Sequence, residues 1–100
     1  MIIYNVTIKI SAAAEDEWLH WMQHIHMKEV VATGCFDEYQ FFQLIEPSDE
    51  EGNTYVAQYS TTDMERYMCY INKFAPAMRQ EGYNKFGDQF IAFRSVLRKM

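Results

Sequence analysis

The residues best suited to chemistry are concentrated in one stretch, DEWLHWMQHIHMKEV (residues 16–30), which holds both tryptophans and all three histidines. A helix through this stretch places Trp18, Met22 and Ile25 on its apolar face. His26 then lies on the flank of that face, where an imidazole can act as a general acid or base because its ordinary pKa is near ~6.5. We take His26 as the candidate catalytic residue. The alternative is a structural histidine bonded to a backbone carbonyl or a carboxylate.

Two tryptophans and one arginine are the candidate ligand-binding residues. Trp18 and Trp21 are three positions apart, so they lie on neighbouring parts of a helix, and one can pack in the core while the other lines a groove. The alternative is that both are packing residues. Arg94 is able to hold a carboxylate through two hydrogen bonds. For Arg79 we expect instead a salt bridge to the acidic surplus, such as the EPSDEE segment at residues 46–51.

Metal and cofactor sites are not predicted. His20 and His24 are four positions apart and share the solvent side of the helix, a spacing that can present two imidazoles to zinc. However, no glutamate follows His20 and no third ligand is evident nearby, so an exposed polar face is the better interpretation. The chain has no phosphate loop, no Ser-His-Asp set and no paired Cys-His nucleophile, and we therefore expect no cofactor.

Length and charge limit the kinds of partner. The 100 residues are enough for one domain spanning residues 1–100. The formal net charge of −5 disfavours nucleic acid and anionic membrane surfaces, which both attract basic patches. Hydrophobic residues make up 49% of the chain and aromatic residues 16%, more than a chain of this size readily buries alone. A second copy as partner is therefore expected.

The N-terminal segment and the cysteines indicate the compartment. MIIYNVTIKI alternates apolar and polar residues, which is typical of a strand and not of a signal peptide, and no stretch approaches the ~20 apolar residues of a membrane span. Cys35 and Cys69 are the two cysteines, without a CxxC motif. We expect reduced, half-buried thiols in the cytoplasm.

The alternating and helical apolar patterns predict the elements that position these side chains. The first half begins with a strand over 2–10 and a helix from Ser11 to about Val31, which stops at Thr33-Gly34. Strands over 35–46 and 54–61 follow, joined by a polar turn at 47–53. The second half has a helix from Thr62, a short helix over 76–86 that closes at Gly87, and a last strand over 89–99.

Local signals refine the helices and one strand. Ser11 is the expected cap of the first helix, and Thr62 with Glu65 forms a capping box for the second. Pro76 is expected to end that helix and to begin a separate short one. The pair Phe41-Phe42 breaks the alternation of its strand, so we expect either a bulge or two covered faces. The residues expected to form a buried stripe on the second helix are Met64, Tyr67, Met68 and Ile71.

The element order is βαββαβ, with one extra helical region before the last strand. Two βαβ halves in this order predict an α+β, ferredoxin-like fold, with an antiparallel sheet and both helices on one face. The other face is left open, and the strands over 35–46 and 89–99 are apolar on both sides. Because an exposed apolar face of that size marks an interaction surface, we expect a homodimer through it, with the two sheets forming a shared α/β barrel.

The segment WLHWMQHIHMKEVVATGCF resembles the W-x-x-W-M-x-x-x-H…E-V-x-A-T-G-x-F signature of a bacterial family known as domain of unknown function 4286. TYVAQY and APAMRQEGYNKFGDQFIAFRSVL are similar to the middle and end of that family, so the resemblance covers essentially the whole chain. The resemblance implies a domain similar to dimeric α/β barrels, whose relatives include cofactor-free monooxygenases. It implies no activity of its own.

Two functions remain open at this stage. The first is a dimeric domain without enzymatic activity that binds a small metabolite or a partner protein. The second is a cofactor-independent, monooxygenase-like enzyme in which His26 is the acid or base and the tryptophans shape the pocket. A pocket between helix and sheet that ends at His26 would favour the second, and solid packing around His26 would exclude it.

Overall fold

Four antiparallel strands form one sheet, and two helices pack on one of its faces. The computed structural model describes all residues 1–100. In sequence order the strands are β1 (Ile2–Ser11), β2 (Glu38–Leu44), β3 (Gly52–Thr61) and β4 (Phe90–Arg98), and in the sheet they lie in the order β2-β3-β1-β4. Helix α1 (15–32) consists of the consecutive segments Glu15–Trp21, Met22–His26 and Met27–Ala32. Helix α2 (64–86) consists of Met64–Cys69, Tyr70–Phe74 and Ala75–Phe86, and a 3₁₀ turn, Gly87–Gln89, follows it.

The alternation of β1 determines which face of the sheet the helices cover. Ile2, Tyr4, Ile8 and Ile10 are buried, whereas the intervening side chains point to the open face. β1 pairs with both β3 and β4, so its helix-facing residues continue across the sheet. On β3 they meet Tyr55, Ala57 and Tyr59, which are also buried. The predicted ferredoxin-like βαββαβ order is confirmed.

Both helices begin later than the predicted caps. Ser11 is still paired in β1, opposite Gly52, so it cannot cap α1. The first residue of α1 is Glu15, whose carboxylate accepts hydrogen bonds from Tyr55 Oη at 2.6 Å and Asn53 Nδ2 at 2.7 Å. These bonds tie the start of α1 to the sheet and lower the pKa of Glu15, because they favour its charged form.

The cap of α2 is Asp63, and the prediction of Thr62 is wrong. The Asp63 carboxylate accepts the backbone N–H of Glu65 at 2.8 Å, which satisfies one of the free donors of the first turn. An ionised carboxylate also interacts more favourably than a hydroxyl with the positive end of the helix.

The predicted helical segment over 76–86, with Pro76 in its first turn, is present as Ala75–Phe86, but it is not a separate helix, because α2 continues through this position. The turn Tyr70–Phe74 is π-helical, and the N–H of Ala75 bonds the carbonyl of Tyr70, five residues earlier. Pro76 therefore lies in the first turn of the segment after this wide turn, where the missing N–H of proline costs little. The predicted end at Gly87 is confirmed, with a φ of 55°.

The face of α2 that is buried against the sheet differs from the predicted apolar stripe. Met64 and Met68 are 44% and 43% exposed, whereas Tyr70 is 3% exposed. The aromatic rings of Tyr67 and Tyr70 lie 5.7 and 5.8 Å from the ring of Tyr4, and this packing turns the methionines toward solvent.

Strand β2 is shorter than predicted and has no bulge. Its pairing with β3 runs without interruption, so neighbouring phenylalanines point to opposite faces. Phe41 packs against Trp18, with ring centroids 6.0 Å apart, and Phe42 is 47% exposed on the open face. Cys35 precedes the strand and is buried, so the prediction of a half-buried thiol is wrong for this residue. Cys69 is half-buried as predicted, and no disulfide joins the two cysteines.

The open face of the sheet is apolar along one row that crosses all four strands. Phe42, Val56, Thr7 and Phe93 lie side by side in this row, and Phe93 is 71% exposed. In a neighbouring row, Gln58 donates a hydrogen bond to the side chain of Asn5.

Neither helix is long and apolar enough to cross a membrane.

Candidate functional site

A cavity of about 60 Å³ lies between the two helices and the helix-facing side of the sheet. Trp18, Trp21, His26 and Arg94 all line it, so the fold brings together the four residues that the sequence suggested as catalytic or ligand-binding. Their roles stay predictions. Thirteen of the 17 lining residues are hydrophobic, and none is aspartate or glutamate. The cavity is therefore an apolar and aromatic enclosure with a few basic and polar groups.

A wide turn in α1 directs His26 into this cavity. The turn Met22–His26 is π-helical, and the N–H of Met27 bonds the carbonyl of Met22, five residues earlier. The extra residue in the turn shifts the phase of the helix after it. The prediction that Ile25 is a core residue is consequently wrong, since it is 39% exposed, whereas Met27 is 1% exposed. The same shift carries His26 from the flank of the helix to its inner side.

His26 and Trp21 form the polar end of the cavity. Their rings are stacked, with centroids 4.4 Å apart and an interplanar angle of 21°. His26 Nδ1 and Trp21 Nε1 are both buried, and neither has a hydrogen-bond partner. Buried polar groups in folded proteins are nearly always paired, because each one left unpaired costs about 1–3 kcal/mol. The structural alternative of a histidine held at Nδ1 by a carbonyl or carboxylate therefore does not describe this ring.

The surroundings of His26 keep its imidazole neutral. Burial is the larger cause and the positive charge of Arg94 the smaller one; together they lower the pKa of His26 from 6.5 to about 4. At neutral pH the ring is therefore uncharged, and it has one nitrogen able to accept a proton or a hydrogen bond.

This pKa makes the stability of the protein depend on pH through His26. Between pH 6.5 and pH 4 the unfolded chain binds a proton at His26 that the folded chain does not, so the free energy of unfolding falls as the pH falls. Urea unfolding should show a loss of about 2 kcal/mol from this residue between pH 7 and pH 4.5. In His26→Gln the loss should be smaller by that amount, and an unchanged pH profile would contradict the pKa assignment.

Arg79 is placed differently from its prediction. It makes no salt bridge; its Nη2 donates a hydrogen bond to Tyr4 Oη at 3.2 Å, and both residues line the cavity. The cation that pairs with the acidic turn is Lys9, which contacts Asp49 and Glu51. The turn leads into β3 at Gly52, which pairs with Ser11 at the end of β1, two residues from Lys9.

Sequence reasoning missed three residues that shape the cavity, namely Tyr4, Tyr70 and Gly82. Tyr4 and Tyr70 each look like ordinary core residues in the sequence. Gly82 did carry a signal, because glycine inside a helix costs about 1 kcal/mol relative to alanine and usually has a reason. Here its missing side chain leaves space next to Trp21 and Phe90.

Trp18 and the other two histidines have simpler surroundings. The ring of Trp18 packs between Phe41 and Tyr55, with centroid distances of 6.0 and 5.3 Å, so it is a wall of the core as well as of the cavity. His20 and His24 are exposed, and the centroids of their rings lie 4.6 Å apart. No group of three or more His, Cys, Asp or Glu side chains is arranged to hold a metal ion.

Solved structures with similar folds share very little sequence with this chain. A dimeric ferredoxin-like protein from an uncultured marine organism superimposes with a TM-score of 0.73 at 10% identity, over 96% of this chain and 92% of that one. SnoaB, a cofactor-independent oxygenase from Streptomyces nogalater, gives 0.68 at 11% identity, over 98% and 92%. The monooxygenase ActVA-Orf6 of Streptomyces coelicolor, in complex with nanaomycin D, gives 0.61 at 10%, over 99% and 88%. These similarities establish the fold alone.

Sequence comparison identifies the family. No curated protein matches the chain significantly. The family model for the domain of unknown function DUF4286 matches residues 1–100, which is the whole sequence. The chain therefore belongs to the DUF4286 family.

Proposed function

We propose that the helix–sheet cavity binds a small aromatic compound that carries a hydroxyl or carboxylate oxygen. The observation that carries this proposal is the pair of buried, unpartnered atoms, His26 Nδ1 and Trp21 Nε1, in an aromatic enclosure. The indole N–H needs an acceptor, and a single hydroxyl can accept from it and donate to the imidazole. The two rings are stacked with their centroids 4.4 Å apart, and we propose that one ligand hydroxyl bonds both atoms.

The size of the cavity limits the ligand to about one ring. Its volume of about 60 Å³ is well below the about 150 Å³ of an engineered cavity that holds benzene. Met22 and Met78 line it, and the flexible thioether side chain of methionine adapts readily to a bound group. Movement of these two side chains admits a single ring, whereas a ligand of several fused rings requires the helices to separate.

Calorimetric titration with phenol and with toluene tests the proposal. The two probes have similar shape and differ in one hydroxyl, so phenol should bind about tenfold more tightly or better because it pairs the two buried atoms. His26→Phe retains a ring against Trp21 but removes the nitrogen, and it should reduce this preference. His20→Phe on the exposed side of α1 is the matched control and should retain it. Equal affinities of the wild type for the two probes, or no binding of either, would refute the proposal.

A second candidate function is oxygenation without a cofactor. It is favoured by the position of His26, which lies at the end of a cavity between the helices and the sheet, where its imidazole can accept a hydrogen bond from a bound hydroxyl. Two fold neighbours, SnoaB and ActVA-Orf6, are described as an oxygenase and a monooxygenase. In such a reaction phenol and O₂ would give benzoquinone and water. One oxygen atom forms the new carbonyl, and the other leaves as water with the hydroxyl hydrogen and the ring hydrogen.

Oxygen uptake distinguishes the two functions. If the oxygenase proposal holds, the wild-type protein should consume O₂ when phenol is added, and His26→Phe should not. Binding of phenol without any O₂ uptake would reject the oxygenase and leave the binding function standing.

We also infer that two copies of the chain pair through the open face of the sheet. Exposed apolar side chains cover this face, and a second copy presents the same surface, which a two-fold axis makes self-complementary. One fold neighbour is described as a dimeric ferredoxin-like protein, which supports the pairing of two copies. In the arrangement that we infer, the two sheets form a shared α/β barrel. The side chains in question are Phe42, Leu44, Ile91, Phe93 and Leu97, which are between 39% and 71% exposed.

A further inference from the structure

Two arginines at the cavity have no acidic partner, although the chain is rich in acidic residues. The sequence holds 14 Asp and Glu against 9 Lys and Arg. The salt bridges of the molecule use Lys9 and Arg66 as their cations. Arg79 and Arg94 take part in none of them, and both line the cavity, where no carboxylate is present. In an acidic protein, two guanidinium groups left without a carboxylate at one cavity form a site of local positive charge.

The positions of the two arginines locate this charge relative to the aromatic part of the cavity. Arg94 pairs with Val6 across β1 and β4, and Val6 also lines the cavity, so Arg94 belongs to the helix-facing side of the sheet. Arg79 approaches from α2 and is oriented by its hydrogen bond to Tyr4. Both arginines are exposed, whereas Trp21 is 5% exposed. The arginines therefore mark the side on which the cavity meets solvent, and Trp21 and His26 provide its enclosed polar pair.

The geometry points to a hydroxy-substituted aromatic carboxylate as the ligand, with its hydroxyl at Trp21 and His26 and its carboxylate at Arg79 and Arg94. This inference rests on the proposed binding function and specifies its substrate class. Guanidinium groups bind carboxylates through strong charge-assisted hydrogen bonds, and a carboxylate on the solvent side avoids complete desolvation. The ring of the ligand contacts the aromatic walls, as the apolar lining requires.

Calorimetry with two probes that differ only in charge tests the ligand class. 4-Hydroxybenzoate and 4-hydroxybenzamide have the same ring and hydroxyl, and the first alone is an anion. The wild type should bind the benzoate about tenfold more tightly or better, because a bond between a guanidinium and a carboxylate is stronger than one to a neutral amide. The preference should decrease in 0.5 M salt, because dissolved ions screen the attraction between the charges. The screening length shortens as salt is added and reaches about 3 Å near 1 M.

Arginine variants connect the preference to the site. Arg94→Gln should abolish most of the preference for the anion, because a neutral amide replaces the guanidinium. Arg79→Gln should reduce the preference as well. Arg98→Gln is the matched control, since Arg98 lies on the same strand but outside the cavity, and it should behave as the wild type.

The outcomes separate this inference from the binding function itself. Equal affinities for the two probes, or an undiminished preference in both Arg94→Gln and Arg79→Gln, would overturn the anionic ligand class. If phenol binds and 4-hydroxybenzoate does not, the binding function stands and the inference fails. If none of the three compounds binds, both fail.

Discussion

Replacing Gly82 by alanine should stabilise the free protein and weaken its binding of aromatic ligands. Gly82 is a buried residue of α2, and a Cβ there would lie 3.7 Å from Trp21 Cη2 and 3.9 Å from Phe90 Cζ, which is ordinary contact. Alanine therefore fits without strain, and helix propensity should add about 1 kcal/mol of stability. For a domain of this size this corresponds to a melting temperature roughly 4–8 °C higher.

The same methyl group takes space that a ligand needs. In a cavity of about 60 Å³, an added carbon next to Trp21 should overpack a bound ring, at a cost of about 1–3 kcal/mol in binding free energy. Calorimetry with phenol measures this loss, and thermal unfolding measures the gain in stability. Under the proposed binding function, Gly82 gives up helix stability for space, a common compromise at binding sites.

A control on the same helix separates cavity volume from helix propensity. Asn84→Ala also introduces a better helix former, but at an exposed position outside the cavity. It should leave phenol affinity unchanged. A Gly82→Ala protein that is less stable than the wild type, or that binds phenol equally well, would contradict the role assigned to Gly82.

Replacing Phe93 by glutamate should convert the protein from a dimer to a monomer. Phe93 is 71% exposed in the isolated chain and lies in the apolar row of the open face, so the change removes little from the core. In the inferred interface it would bury an unpaired carboxylate in each copy, which should weaken dimerisation by about 3 kcal/mol or more. Sedimentation should give about 24 kDa for the wild type, twice the 11.9 kDa of one chain, and one chain for the variant.

Met68→Glu is the matched control for the interface. Met68 is also an exposed apolar residue, at 43%, but it belongs to α2 on the other face of the sheet. This variant should remain dimeric. A wild-type protein that sediments as a monomer, or a Phe93→Glu protein that remains a dimer, would contradict pairing through the open face.

The fold could be predicted from the sequence because its strongest signals are local. The alternation in β1 and the positive-φ glycines at 34 and 87 needed only neighbouring residues for their recognition. Where a helix starts was harder to predict. Ser11 and Thr62 are suitable caps by type, but pairing of Ser11 in the sheet and the stronger cap at Asp63 decided the outcome.

The orientation of each helix could not be read from a regular 3.6-residue pattern. A π-helical turn adds one residue without any marker in the composition, so the predicted apolar face of α1 included Ile25, which is exposed, and placed His26 only on its flank. In α2 the choice between burying methionines and burying tyrosines depended on Tyr4, which is distant in sequence.

The candidate site was partly visible in the sequence. His26 and Trp21 were selected for their chemistry and lie together in the structure. The contribution of Arg79 could not be anticipated, because its partner Tyr4 is 75 positions away. Only the packing of α2 against β1 brings the two together.

The indole N–H resonance of Trp21 provides the most direct test of the binding site. The chain has two tryptophans, so a nitrogen–proton correlation spectrum contains two indole signals, and Trp21→Phe identifies one of them. Trp21 Nε1 has no partner in the free protein. If a phenol hydroxyl binds there, the Trp21 signal should move downfield during a titration with phenol, by more than the Trp18 signal. A Trp21 signal that stays in place throughout the titration would contradict the proposal that this cavity is the ligand-binding site.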